Sequence, residues 1–286
     1  MTASTSTLTN IPAPTSPQLI RQMRSERIKI TSTKTWWLFG LGLTLLTGAS
    51  VTVNVLQTHD DIAHNNSATQ MTTDAANVFT SGQYFGGLFV LLLAILIVTN
   101  EFYHQTATST FLATPHRSVV ILGKFVVAMI AAAVAWLLTT VISLVVGLLF
   151  FHAEGISSGL GTWGVGRAML VNVMVFALWG VFGVGFAALI RSQIGATVTA
   201  VLLYTIGTLA VELIFALIHQ YVWHSRHVYQ ALVLVPGIAA EVAVSPTPVT
   251  FEGASIPWWS GVIVLLAYGV VMGVVGTLIL RKRDIS

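Results

Sequence analysis

The chain has 286 residues, of which 55% are hydrophobic and only 8% charged, and its mean hydropathy is +0.83. A soluble domain carries about a quarter charged residues, so the composition excludes an ordinary water-soluble fold and points to a protein integral to a membrane. There is no cysteine, which excludes disulfides and thiolate chemistry, and the net charge of +3 matters through where the basic residues lie.

Residues 1–15, rich in Thr, Ser and Pro, read as a disordered tail. Ser16-Pro17 then has the form of an N-cap followed by proline at the first helical position, and residues 16–35 are expected to form an amphipathic helix on the membrane surface. Leu19, Ile20, Met23 and Ile30 share one side of it, with Arg21, Arg24 and Lys29 off that stripe. The same basic residues also serve simply to orient the first span.

A helix needs about 20 apolar residues to cross hydrocarbon. Six stretches qualify, at 36–56, 82–99, 119–151, 168–190, 196–218 and 258–280, within a transmembrane domain over 36–283. No cleavage pattern accompanies the first, which is expected to be retained as a span. Long segments at this depth satisfy their backbone groups as helices, so the fold class is all-α. The third stretch is long, and its first turns, around Lys124, are expected to project or tilt.

Residues 219–257 contain VYQALVLVPGIAAEVAV, about one bilayer-length but broken at Pro236-Gly237 and carrying Glu241. If it crossed, the basic C-terminus would face the other side from the N-terminus. It is therefore expected to dip in and return as two short re-entrant helices on the outer side.

Orientation follows from Lys and Arg. Eleven of the thirteen lie on one side: Arg21, Arg24, Arg27, Lys29, Lys34, Arg117, Lys124, Arg191, Arg281, Lys282 and Arg283. The other side keeps Arg167 and Arg226 and most of the acidic residues. Both termini are therefore expected in the cytoplasm and the protein in the plasma membrane. Trp36, Trp37, Trp163, Trp258 and Trp259 fall at span ends, as interfacial anchors do.

Signatures of chemistry are few. There is no G-x-x-x-x-G-K-[ST], H-E-x-x-H or G-x-S-x-G, so no enzyme is expected. His219, His224 and His227 cluster in the outer segment. A metal site needs three or four converging ligands, and surface histidines are the alternative. Glu212, in LAVELIFALI, lies inside the fifth span. A carboxylate there is costly and faces a bundle interior or a wet cavity. It is a candidate for a translocation path, with a helix-packing role as the alternative. Gly82/Gly86, Gly269/Gly273 and Gly180, Gly183 and Gly185 offer close-packing faces.

Residues 100–118 form a polar, Thr-rich segment between spans two and three, NEFYHQTATSTFLATPHR over 100–117. Thr114, before Pro115, is disfavoured in a helix, so a short helix over 105–113 is expected to stop there. Glu101 closes span two, where the helix dipole disfavours a negative charge. It needs a basic partner, for which Arg24, Arg27 and Lys124 are the candidates.

At these residues the chain resembles the membrane-spanning permease subunit of bacterial ABC-type exporters, of the ABC type-2 superfamily. The resemblance rests on RSERIKITSTKTWW before span one, on the acidic residue closing span two, and on T-P-x-R followed by a lysine nine positions after the proline. It implies that residues 100–118 are a coupling segment seated on a separate cytoplasmic P-loop ATPase, with Glu101, His104, Thr114, Pro115 and Arg117 as the transmission element. Arg24 and Arg27 would belong to the interface helix. ATP and Mg would bind in the partner, with no cofactor in this chain. Two permease subunits, identical or related, would complete a transporter that moves a lipophilic or amphipathic substrate, such as a drug, peptide or lipid, out of the cell. Membrane lipid is the other expected partner, and nucleic acid is not one. A secondary transporter or channel acting without ATP is the rival expectation; such proteins show internal repeats and ionisable residues at mid-membrane.

Overall fold

The computed structural model describes residues 18–31, 35–64, 68–103, 117–190, 192–221, 227–251 and 254–282. Eleven α-helices are described. Helix α1 (Gln18–Thr31) precedes α2 (Thr35–Ala63), α3 (Ala68–Phe79) and α4 (Gln83–Tyr103). Then come α5 (Arg117–Ala153) and α6 (Trp163–Leu189). Helix α7 (Gln193–Leu202) runs through a π-helical turn (Leu203–Gly207) into α8 (Thr208–Tyr221). A short α9 (His227–Gln230), a 3-10 turn (Ala231–Leu234) and α10 (Pro236–Val244) lead to a hairpin, β1 (Val249–Phe251) and β2 (Ala254–Ile256), and to α11 (Trp258–Lys282).

Six helical stretches are long and apolar enough to cross a membrane: α2, α3 with α4, α5, α6, α7 with α8, and α11. The chain is an all-α, multi-pass membrane protein by this criterion. The helices run beyond the apolar stretches legible in the sequence. Residues 57–63 extend α2, and 68–79 form α3 instead of a loop, because Ala75, Ala76, Val78 and Phe79 bury against Phe151, Val165 and Ala168. Helix α5 has 37 residues, which at 1.5 Å per residue is about 55 Å, well over the roughly 30 Å of hydrocarbon.

Local chemistry sets the helix ends. Gly155, at φ +69°, closes α5: its N–H reaches the His152 carbonyl while the Ile156 N–H reaches Phe151, a Schellman arrangement. Ser192 caps α7 by accepting from the Gly195 N–H at 3.1 Å. Pro236 opens α10 after an extended Val235.

Helix α6 is the centre of the bundle, packing on α4, α5 and α11. Its glycines make that possible. A side chain at Gly180 would meet the Ala128 carbonyl of α5, one at Gly183 the Leu91 carbonyl and Ala94 of α4, and one at Gly185 the Met272 carbonyl of α11. Small residues let helix backbones approach where lipid supplies no hydrophobic drive for association.

At one end of the bundle, α10 lies between α6 and α11. A side chain at Gly261 would strike the Ala239 carbonyl, and Gly237 sits against Thr208 of α8. Tyr268 of α11 donates to the Leu234 carbonyl at 3.1 Å, holding the turn before α10. Arg167, itself buried, donates to the Ser245 carbonyl and lies 4.2 Å from the centre of the Trp258 ring. Of the expected anchors, Trp258 is thus tied into the protein, while Trp37, Trp163 and Trp259 are exposed.

Candidate functional site

The opposite end of the bundle carries a buried ionic cluster. The Lys124 ammonium lies 2.9 Å from Glu101 Oε2 and 3.6 Å from Glu26 Oε1, and donates to the Ile97 carbonyl at 3.0 Å. None of the three side chains is more than 4% exposed. Each comes from a different helix: Glu26 from α1, Glu101 from the last turn of α4, and Lys124 from the second turn of α5. The free carbonyls at the end of α4 carry partial negative charge, and Lys124 answers both that charge and the carboxylate. Around Lys124 the first turns of α5 pack inward on the protein, because the lysine fills an anionic pocket.

Of the three candidate partners for Glu101, the structure brings Lys124 to it. Arg24 and Arg27 lie on the exposed side of α1. Glu26 was not singled out in the sequence, although a signal was there. On a helical projection it falls beside Leu19, a carboxylate at the edge of the apolar stripe, and such a residue needs a partner where it is buried. Met23, on the same side, packs against the main core. Arg117 opens α5. His104, Thr114 and Pro115, with the short helix expected over 105–113, lie outside the described residues.

Beside this cluster a cleft of about 680 Å³ opens between α2, α4 and α7. Its walls combine Phe39 and Leu96 with Asn100, Tyr103, Gln193 and Thr197. The Gln193 side-chain oxygen, Oε1, is buried with no hydrogen-bond partner among the described residues.

A second cavity, about 240 Å³ and almost wholly apolar, lies at mid-height between α4, α6, the π turn and the start of α10. Trp179, Phe182 and Phe186 line one side, and Leu203, Tyr204 and Pro236 line another. The π turn aims Tyr204 inward, where its hydroxyl donates to the Tyr84 carbonyl at 2.7 Å. Its ring lies 4.8 Å from Trp179 and 5.2 Å from Tyr84. Thr208 returns a hydrogen bond to the Tyr204 carbonyl at 2.8 Å, and Thr205 one to Val201 at 2.7 Å, serving carbonyls near the widened turn.

Glu212 lies one turn beyond Thr208 on α8, and Glu241 one turn beyond Gly237 on α10. Gly237 touches Thr208, and Val211 and Phe215 pack against the cluster that holds Ile238 and Val242, so the two helices approach one another at this point. The two carboxyls come within electrostatic reach of each other and of Tyr84. Glu241 keeps an accessible surface although protein surrounds it on most sides, and this burial, with the Glu212 carboxylate second, raises its carboxyl to about 7. Glu212 is half-buried. Sequence reasoning had placed Glu241 in the expected re-entrant segment without giving it a neighbour. Its pairing with Glu212 depends on a contact between residues about thirty positions apart. His219 packs its ring 4.7 Å from Tyr229, and His224 lies outside the described residues.

A family profile described as "Protein of unknown function (DUF2705)" matches residues 43–286. The chain belongs to this family. Glu101, Lys124, Glu212 and Glu241 fall within the matched stretch, and α1 with Glu26 precedes it. No curated protein matches the chain.

Proposed function

We propose that the chain is the permease subunit of an ATP-driven ABC-type exporter, driven by a separate P-loop ATPase. The observation that carries the proposal is Lys124, buried between Glu101 and Glu26 at the root of the segment that leads from α4 to α5. A docking element has to transmit force into the membrane domain, and this cluster ties the helix before it, the helix after it and α1 into one unit. Buried charges held in a hydrogen-bonded group resist separation, because parting them leaves each unpaired in a low dielectric. Movement imposed on residues 104–116 would thus reach α1, α4 and α5 together.

In this proposal the cluster and both termini face the cytoplasm, in the plasma membrane, as the basic residues argue. Helix α1 lies along the inner leaflet. The short α9 and α10 enter from the outer side and return, and the hairpin caps that side. A second permease subunit, identical or related, completes the membrane part. ATP binding closes the ATPase pair and shifts the permease between inward- and outward-open states, which requires that ATP favour one of them. The chain itself does no covalent chemistry.

A photoreactive residue placed at position 108 tests the proposal directly. Cross-linking to a protein that carries a Walker A motif and hydrolyses ATP is the expected result. Flux driven by a proton gradient in vesicles that contain this chain alone would instead establish the rival, a secondary transporter or channel. The paired carboxyls Glu212 and Glu241 are the observation that favours that rival.

A further inference from the structure

The cavity beneath α10 has walls and a rim of different chemistry. Its walls are aromatic and aliphatic, and the two hydroxyls that reach it are already committed: Tyr204 donates to Tyr84 and Thr208 donates to Tyr204. An inorganic cation, which needs several oxygen ligands in place of its water, finds no such set here. The faces of Trp179, Phe182, Phe186 and Tyr204 instead suit an aromatic ring, and they also attract a diffuse positive charge on carbon-covered nitrogen next to it.

The rim adds the complementary charge. Thr208 and Gly237 line the cavity, and Glu212 and Glu241 stand one helical turn, about 5.4 Å, further along their helices. Among the described residues neither carboxyl has a hydrogen-bond or ion-pair partner, and the one charged group that reaches Glu241 is Glu212. Two carboxyls within electrostatic reach of each other and without a base beside them attract a cation. The volume also bounds the ligand. A cavity of about 150 Å³ holds benzene, so about 240 Å³ admits a single ring with a small substituent.

We infer that this cavity binds an organic ammonium ion with an aromatic group, the ring seated against Trp179, Phe182 and Tyr204 and the charge held by Glu212 and Glu241. The inference deepens the exporter proposal by naming its substrate class, and rests on that proposal only for the word substrate.

Equilibrium binding of radiolabelled benzyltrimethylammonium to the purified full chain in phosphatidylcholine nanodiscs tests it. Binding is expected to be saturable and unaffected by benzenesulfonate. Neopentylbenzene, which has the same shape without the charge, is expected to compete poorly. Glu212→Gln with Glu241→Gln should weaken binding roughly tenfold or more, while Glu212→Asp with Glu241→Asp should largely retain it. Ala200→Leu, at a buried position that lines the cavity, takes up part of its volume, leaves the carboxyls in place and should also weaken it. Absence of saturable binding, equal binding by the double Gln variant, or indifference to Ala200→Leu would each overturn the inference. The assay needs no ATPase. A chain that binds the cation yet recruits no ATPase keeps this site and loses the exporter proposal, and the converse result does the opposite.

Discussion

Lys124 Nζ stands 2.9 Å from Glu101 Oε2, and both side chains are 4% exposed. Glu26 approaches the same ammonium from α1 at 3.6 Å. One lysine thus joins α5 to the helix before it, α4, and to the more distant α1, and its removal takes a shared base from two buried carboxyls. Lys124→Met should destabilise the protein by about 3–5 kcal/mol, the cost of leaving a buried charge without its partner. Thermal unfolding of the purified variant in detergent measures this. Replacing all three residues with apolar ones of similar volume should recover much of the loss, and no recovery would mean that the cluster is not the cause.

Glu101→Ala separates coupling from folding. On the exporter proposal the variant inserts and keeps its bundle, because Lys124 retains Glu26 and the Ile97 carbonyl, but transport is lost. Comparing substrate efflux with membrane-inserted protein level decides it, and wild-type efflux from the variant would remove Glu101 from the coupling role.

Gly183→Leu tests the close approach of α6 and α4. A Cβ at position 183 would lie 2.6 Å from Ala94 Cβ and 2.7 Å from the Leu91 carbonyl oxygen, so the helices must part. Overpacking of this kind costs about 1–3 kcal/mol. Gly161→Ala is the control, because nothing lies within 4 Å of a Cβ there. The melting temperature should fall for the first and barely move for the second.

Tyr204→Phe removes the hydroxyl that holds the π turn to span two. The ring contacts remain, and the Tyr84 carbonyl loses its donor, for a loss of about 1 kcal/mol. Hydrogen exchange at 203–208 should quicken while exchange in α6 stays unchanged. Unaltered exchange at the turn would show that the hydroxyl does not fasten it.

Glu241 makes stability depend on pH. Its carboxyl is raised to about 7 in the folded chain by burial and by Glu212, so the folded state holds a proton that the unfolded state has released. Between the ordinary glutamate value and 7, stability therefore falls as pH rises, and the penalty is complete above 7. Glu241→Gln removes that penalty. The variant should exceed the parent by roughly 1–2 kcal/mol at pH 8, allowing for screening at the accessible side, and match it at pH 4. Equal melting temperatures at pH 8 would refute the shift.

Much of the architecture was legible because membrane helices are governed by local rules. An apolar stretch of bilayer length must be helical wherever its neighbours lie, since its backbone groups have no other partners. The six apolar stretches, the break at Pro236, and the need of Glu101 for a base all follow from residues a few positions apart. The glycines of α6 could be recognised as packing positions but not assigned to partners.

Three-dimensional contact decided what the linear pattern leaves open. Lys124 was one of three bases available to Glu101, and only the packing of α5 on α4 selected it. Glu26 entered the cluster because α1 lies across α5, and α3 became helical because Phe151 and Val165 offered its apolar side a surface. The pairing of Glu212 with Glu241, and the aromatic cavity beside them, arise where α8 and α10 meet at Thr208 and Gly237. Composition and periodicity determined that this chain carries six helical stretches long and apolar enough to cross a membrane, because the cost of an unsatisfied backbone in lipid acts on each segment alone. Which charges are buried together and which cavity they border was decided by tertiary structure, because electrostatic and packing energies depend on distances between segments that sequence order does not specify.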